Sequence, residues 1–101
     1  MERNSKESLV KTKKTNIVVE VPLPDGCVSM YVGELAVMTE ERITLRKVSW
    51  ISDTGRRHLF FAGTPDSNVE IEPYPDEITI SFSARSAIVT LWPHPLPRQV
   101  R

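Results

Sequence analysis

Residues 28–51, VSMYVGELAVMTEERITLRKVSWI, hold two long alternating runs joined by the short polar stretch Thr39-Glu40-Glu41. That pattern leaves a chain of this length few choices. Residues that alternate with period two and are rich in Val, Ile, Thr and Trp make strands, because an extended backbone points successive side chains to opposite faces. Each run breaks its alternation once. Val28, Met30 and Val32 share a face, after which the apolar set shifts to Leu35 and Val37; Ile43 and Leu45 share a face, after which it shifts to Val48 and Trp50. A one-residue shift turns every later side chain to the other face unless a bulge or bend absorbs it. Gly33-Glu34 is the expected bend in the first strand, and Arg46-Lys47 takes up the shift in the second. Two neighbouring strands that change phase near mid-length suit a small, strongly bent barrel, in which each strand serves two walls of one core.

The flanking chain also reads as short strands. Ile17, Val19 and Val21 alternate with Asn16 and Glu20, with Val18 outside the pattern. Pro22 and Pro24 stop that strand by removing ladder donors, and Asp25-Gly26 supplies the turn. Ser52-Asp53-Thr54-Gly55 is a second turn. Leu59-Phe60-Phe61-Ala62 is too short for periodicity to choose between strand and helical turn. Beyond the loop at 63–68, three short runs follow: Val69 and Ile71; Ile78, Ile80 and Phe82; Ala87, Val89 and Leu91. Ser83-Ala84-Arg85-Ser86 reads as a hairpin turn between the last two. Six or seven short strands with little helix predict an all-β fold, a strongly bent antiparallel barrel of SH3-like or Sm-like type. The expected organisation is a disordered basic arm over 1–14, the barrel over 15–92 and an extended proline-rich tail over 93–101.

With 101 residues the chain has material for one domain. Apolar residues make up only 40%, so the core is modest and self-association is a natural source of further stability. Thirteen basic and thirteen acidic side chains cancel, so no overall field draws the chain to nucleic acid or to an anionic membrane. The single cysteine, Cys27, has no internal disulfide partner, which points to a reducing cytoplasm. No run of 18 apolar residues exists to span a membrane.

One constellation stands out as a binding surface. Arg46, Lys47, Trp50, Arg56, Arg57 and His58 place five basic or protonatable groups and an indole around one strand end. Guanidinium groups pair with phosphate or carboxylate, and an indole offers a face for a ring to stack on. Such a set fits a small anionic ligand, a nucleic acid or the acidic face of a protein partner. The competing reading is a solvated turn with Trp50 in the core. Residues 66–77 are acidic, with Asp66, Glu70, Glu72, Asp76 and Glu77 and no basic residue. A basic and an acidic region on one neutral chain predict head-to-tail association between copies, hence a homo-oligomer. Neither a metal-ligand spacing nor a phosphate-binding glycine loop is present, so no metal and no cofactor is expected. Catalysis is not expected either, because Cys27 and the two histidines, His58 and His94, fall in no nucleophile motif.

Gly33-Glu34-Leu35, the run Ile43-Thr44-Leu45-Arg46-Lys47-Val48-Ser49-Trp50, and Leu59 with Gly63 resemble a small family of uncharacterised proteins encoded in phage and prophage genomes. The resemblance covers about 30 central residues. It implies a viral setting and carries no assigned chemistry. Residues 33–48 are also similar to an Sm-like strand-turn-strand core, although no Asp or Asn matches the RNA pocket of those proteins. The reading that follows is a non-enzymatic binding module, with a nucleic-acid-binding small barrel and a structural assembly subunit as alternatives.

Overall fold

The structure is a computed structural model and describes residues 14–81 and 87–100. Its strands are β1 (Asn16–Pro22), β2 (Val28–Met38), β3 (Arg42–Asp53), β4 (Glu70–Pro73), β5 (Ile78–Ser81) and β6 (Ile88–Leu91). A short helix, α1 (Arg57–Phe61), separates β3 from β4 and settles the ambiguous apolar stretch in favour of helix. All pairings are antiparallel. From one edge the order is β4, β3, β2, β1, β6, with β5 sharing β3's outer side: β5 pairs with residues 42–45 and β4 with residues 49–53.

The all-β antiparallel expectation holds, but the sheet does not close into a barrel. Among the described residues, the edge formed by β4 and β5 makes no pairing with the edge formed by β6. β5 and β6 are also not a hairpin, because β5 pairs with β3 and β6 with β1, at opposite ends of the sheet. The expected turn at 83–86 lies outside the described residues, as does residue 1–13 of the expected arm.

Burial explains the irregular alternation. The sheet is covered on both faces, and each face has its own core. Ile17 and Val19 of β1 join Ile43, Leu45 and Val48 of β3 on one face, with Leu35, Ile78 and Ile80 packed against them. Val18 points the other way, into a second core with Met30, Val32, Ile51, Phe60, Ile71 and Trp92. A strand buried on both faces reads as a continuous apolar run, which is why Val18 breaks the pattern. For the same reason Met30 and Val32 on one side and Leu35 on the other need no change of phase at Gly33.

The register does break there, yet the extra residue belongs to β3. Val32 faces Ser49 and Glu34 faces Arg46, so Gly33 alone opposes both Lys47 and Val48. Lys47 takes the left-handed conformation, φ 48°, that a bulge residue adopts. The bulge drives β3 against Gly33, where an added Cβ would lie 3.0 Å from the Arg46 carbonyl oxygen and from Val48 Cβ. Glycine is required at 33 for that close approach, not as the bend itself. A second bulge inserts Ala36 between the Leu35–Leu45 and Val37–Thr44 pairs and turns Leu35 and Val37 to opposite faces.

Helix α1 ends in a Schellman motif. The Thr64 N–H donates to the Leu59 carbonyl and the Gly63 N–H to the Phe60 carbonyl, both at 3.0 Å, with Gly63 at φ 86°. His94 packs directly over Gly63, in space that a Cβ would fill. The proline-rich segment is therefore extended but not detached. The Trp92 indole is buried beside Phe60, and its Nε1–H donates to the Pro95 carbonyl at 3.0 Å. His94 Nε2 meets the Phe61 carbonyl at 2.9 Å, and Leu96 packs on the same core. Finally, Arg98 donates to the carbonyls of Val48, at 2.7 Å, and Tyr74, at 3.1 Å. The bulged strand leaves Val48 O turned outward, where the Tyr74 N–H and Arg98 share it.

Candidate functional site

The six residues expected to form one basic and aromatic surface occupy three separate places. Arg46 stands opposite Glu34 on the helix-bearing face and reaches Glu77 at 3.8 Å, an exposed pair that contributes little. Lys47 projects from the bulge and has no ion-pair partner among the described residues. Trp50 is 38% exposed and belongs to neither core. It alternates with Ile51, which packs against Phe60 of the helix, so Trp50 faces away from α1. Its register neighbours are Tyr31 and Glu72, and Glu72 works against an anion stacking there.

Arg56 and Arg57 open helix α1, and His58 follows within it. The Arg56 N–H donates to Asp66, which also accepts from the Asn68 N–H and so fixes the loop before β4. Arg57 lies over the Phe61 ring, 4.7 Å from its centroid, and donates at 2.7 Å to Glu20 of β1. Glu20 is nearly buried, so its charge is stabilised chiefly by this guanidinium. Arg57 is therefore a clamp between helix and sheet. Glu20 opposes Met30, four residues of β2 from Glu34, the register partner of Arg46. At the rise of a strand Glu20 and Glu34 stand about 13 Å apart along the strand direction, and Arg57 and Arg46 reach different acids, Glu20 and Glu77. His58 is exposed, with its carbonyl held by the Ala62 N–H. Proximity in sequence did not become convergence in space.

Elsewhere the surface offers little for chemistry. Cys27 is exposed in the β1–β2 loop beside Asp25, and the Asp25 carboxylate raises its thiol pKa by repulsion and by a side-chain hydrogen bond, which lowers its nucleophilicity. No group of three or more potential metal ligands is assembled among the described residues, and none of their helices is long and apolar enough to cross a membrane. A cleft of about 440 Å³ lies between the tail and the end of α1, lined by Phe60, Ile71, Trp92, His94, Leu96 and Arg98. The polar groups of Trp92, His94 and Arg98 are already bonded to backbone carbonyls.

The outermost strand is different. β6 reads Ile88-Val89-Thr90-Leu91, and its side chains are exposed on both faces, Ile88 at 60% and Leu91 at 69%. Val89 and Leu91 extend the face of Ile17 and Val19, while Ile88 and Thr90 extend the face of Val18 and Glu20. The Trp92 N–H donates to the Asn16 carbonyl at 2.8 Å. In an antiparallel ladder, alternate residues turn their backbone groups to the same neighbour. Residues 88, 90 and 92 therefore bond to β1, and the N–H and C=O of Val89 and Leu91 point outward, where no described strand meets them. Sequence reasoning found the strand but not its exposure. The available signal was a run apolar on both faces with no charge, a composition suited to the inside of a sheet.

Compared with family models, with curated proteins and with solved structures, the chain matches none.

Proposed function

We propose that the protein is a non-enzymatic interaction module that accepts a further β-strand along β6. The observation that carries this reading is the state of that edge: four uncharged residues, two outward-facing sets of backbone donors and acceptors, and apolar side chains exposed on both faces. Edge strands of soluble proteins are ordinarily blunted by charge, proline or a bulge. β6 has none of these. Strand addition draws affinity from main-chain hydrogen bonds and specificity from alternate side chains, and β6 provides for both. The bent β2–β3 hairpin supports reading the domain as an opened relative of an SH3-like or Sm-like barrel, in which docking replaces closure.

A screen of displayed linear peptides against the full chain tests this. Selected peptides are expected to be uncharged and β-branched, and to lose binding when Leu91→Pro removes an outward donor while leaving the β1 ladder intact. Binders indifferent to Leu91→Pro, or no binders, overturn it.

An anion-binding reading is kept for Lys47 with Trp50, on the strength of Trp50's exposure. Salt-dependent binding of a labelled oligonucleotide that Lys47→Glu abolishes would establish it.

A further inference from the structure

We infer that the strand received by β6 is β6 of a second copy of this chain, paired antiparallel about a two-fold axis through Thr90. The inference rests on β6 being a docking edge and adds the identity of its partner.

An incoming strand must bring apolar side chains to both faces and no charge to either. β1 carries Glu20, β2 Glu34, β3 Arg42, Arg46, Lys47 and Asp53, and β4 Glu70 and Glu72. Among the described strands only β5 and β6 are uncharged. β5 already directs Ile78 and Ile80 into the core of its own chain and leaves Thr79 and Ser81 outside, so it has little apolar surface to offer. β6 has Ile88, Val89 and Leu91 uncovered in every copy. Pairing β6 with itself covers both sets at once.

Symmetry makes the match automatic. A two-fold axis normal to the sheet keeps each face continuous across the junction and sets residue i against j and j against i. With the axis at Thr90, Val89 lies against Leu91 of the second copy and Leu91 against its Val89. The outward backbone groups of these residues then exchange hydrogen bonds, and Thr90 meets its own counterpart at the close, non-hydrogen-bonded position. Ile88 and Thr90 line the helix-bearing face on both sides of the axis. With thirteen basic and thirteen acidic residues, neither copy repels the other by net charge. The contact is four residues long, which places the dimer among weak, concentration-dependent associations.

The test is sedimentation velocity of the full chain over a wide concentration range, with Thr90→Lys and Thr90→Glu made separately. Thr90 is exposed, so both variants keep the fold, as far-ultraviolet circular dichroism will verify. The parent is expected to pass from monomer to dimer. Each variant alone sets like charges against each other across the axis and should associate at least about tenfold more weakly. An equimolar mixture of the two should recover the dimer, because only a two-fold contact brings Lys and Glu at position 90 together. A parent that stays monomeric overturns the inference, and peptide binding at β6 would then show that the docking edge itself stands. Trimers or larger species, or a mixture that fails to recover, also overturn it and direct attention to a head-to-tail contact of β6 with β5.

Discussion

The two edges of the sheet are built by opposite rules. At one, β4 presents Glu70 and Glu72 to solvent, buries Ile71 and ends in Pro73, so a strand approaching it meets two carboxylates and a position without a donor. At the other, β6 presents Ile88, Val89 and Leu91, no charge and no proline. Acidic side chains and proline are the ordinary means of keeping a sheet edge single. Their concentration at β4 and absence at β6 show that, among the described residues, one edge is protected and the other is not. Among the described residues the β6 edge meets an approaching strand with neither charge nor proline, and the docking proposed above rests on that.

The contrast is sharpest between two adjacent residues. Leu91 is the most exposed large apolar side chain of β6, whereas Trp92 is buried against Phe60, Phe61 and His94. At low protein concentration Trp92→Ala should cost about 3–5 kcal/mol, the usual loss for a buried aromatic. Leu91→Ala should change stability by under about 0.5 kcal/mol. Urea denaturation followed by circular dichroism checks both. Comparable losses would mean that Leu91 is part of the monomer's core and that β6 is not a spare edge.

Arg57→Ala is expected to have an intermediate effect. Glu20 opposes both Met30 of β2 and Ile88 of β6, so its carboxylate lies close to the apolar edge. The Arg57 guanidinium answers it at 2.7 Å. Removing Arg57 leaves an almost buried carboxylate with one strong donor fewer, and because Arg57 itself is largely exposed the loss should be about 1–2 kcal/mol. Glu20→Gln with Arg57→Ala should recover part of that loss in a double-mutant cycle. Additive effects would show that the pair is incidental, and the apolar character of the edge would then not depend on it.

Much of the sheet was legible because its signals are local. The alternation over 16–22, the Pro24-Asp25-Gly26 turn and the Thr39 turn all report on neighbours in sequence. The structure places β1, β2 and β3 where those signals put them, with Thr39 Oγ1 accepting from the N–H groups of Glu41 and Arg42. What local signals cannot carry is which surface comes to lie on each face. Periodicity separates odd from even positions, but it does not say that both sets are covered, and so Val18 looked like an exception. Nor does it rank strands in space: the runs around Ile80 and Val89 are neighbours in sequence and stand at opposite edges. The docking of the tail was not legible for a related reason. Proline excludes 93–97 from a ladder but does not prevent docking, and the anchor for Arg98 is the Val48 carbonyl, fifty residues away and shared with the Tyr74 N–H. The basic cluster dispersed because β3 carries residues 46, 47 and 50 along its length and onto different faces, while Arg56, Arg57 and His58 lie beyond its end at helix α1.

The smallest expected effect tests the protected side. Ser49 faces Pro73 of β4 and is fully buried, and its hydroxyl has no hydrogen-bond partner among the described residues. A buried hydroxyl without a partner gives up its hydration for nothing in return, so Ser49→Ala should stabilise the chain by about 0.5–1 kcal/mol, the small void left behind offsetting part of the gain. The gain should appear as a rise in the urea midpoint with an unchanged slope, since no additional surface is exposed on unfolding. Because the change lies beneath β4, it should leave the monomer–dimer equilibrium where it is in the parent. A shift in that equilibrium would mean that the two edges communicate through β3 and β2, and that the protected edge takes part in setting the state of the open one.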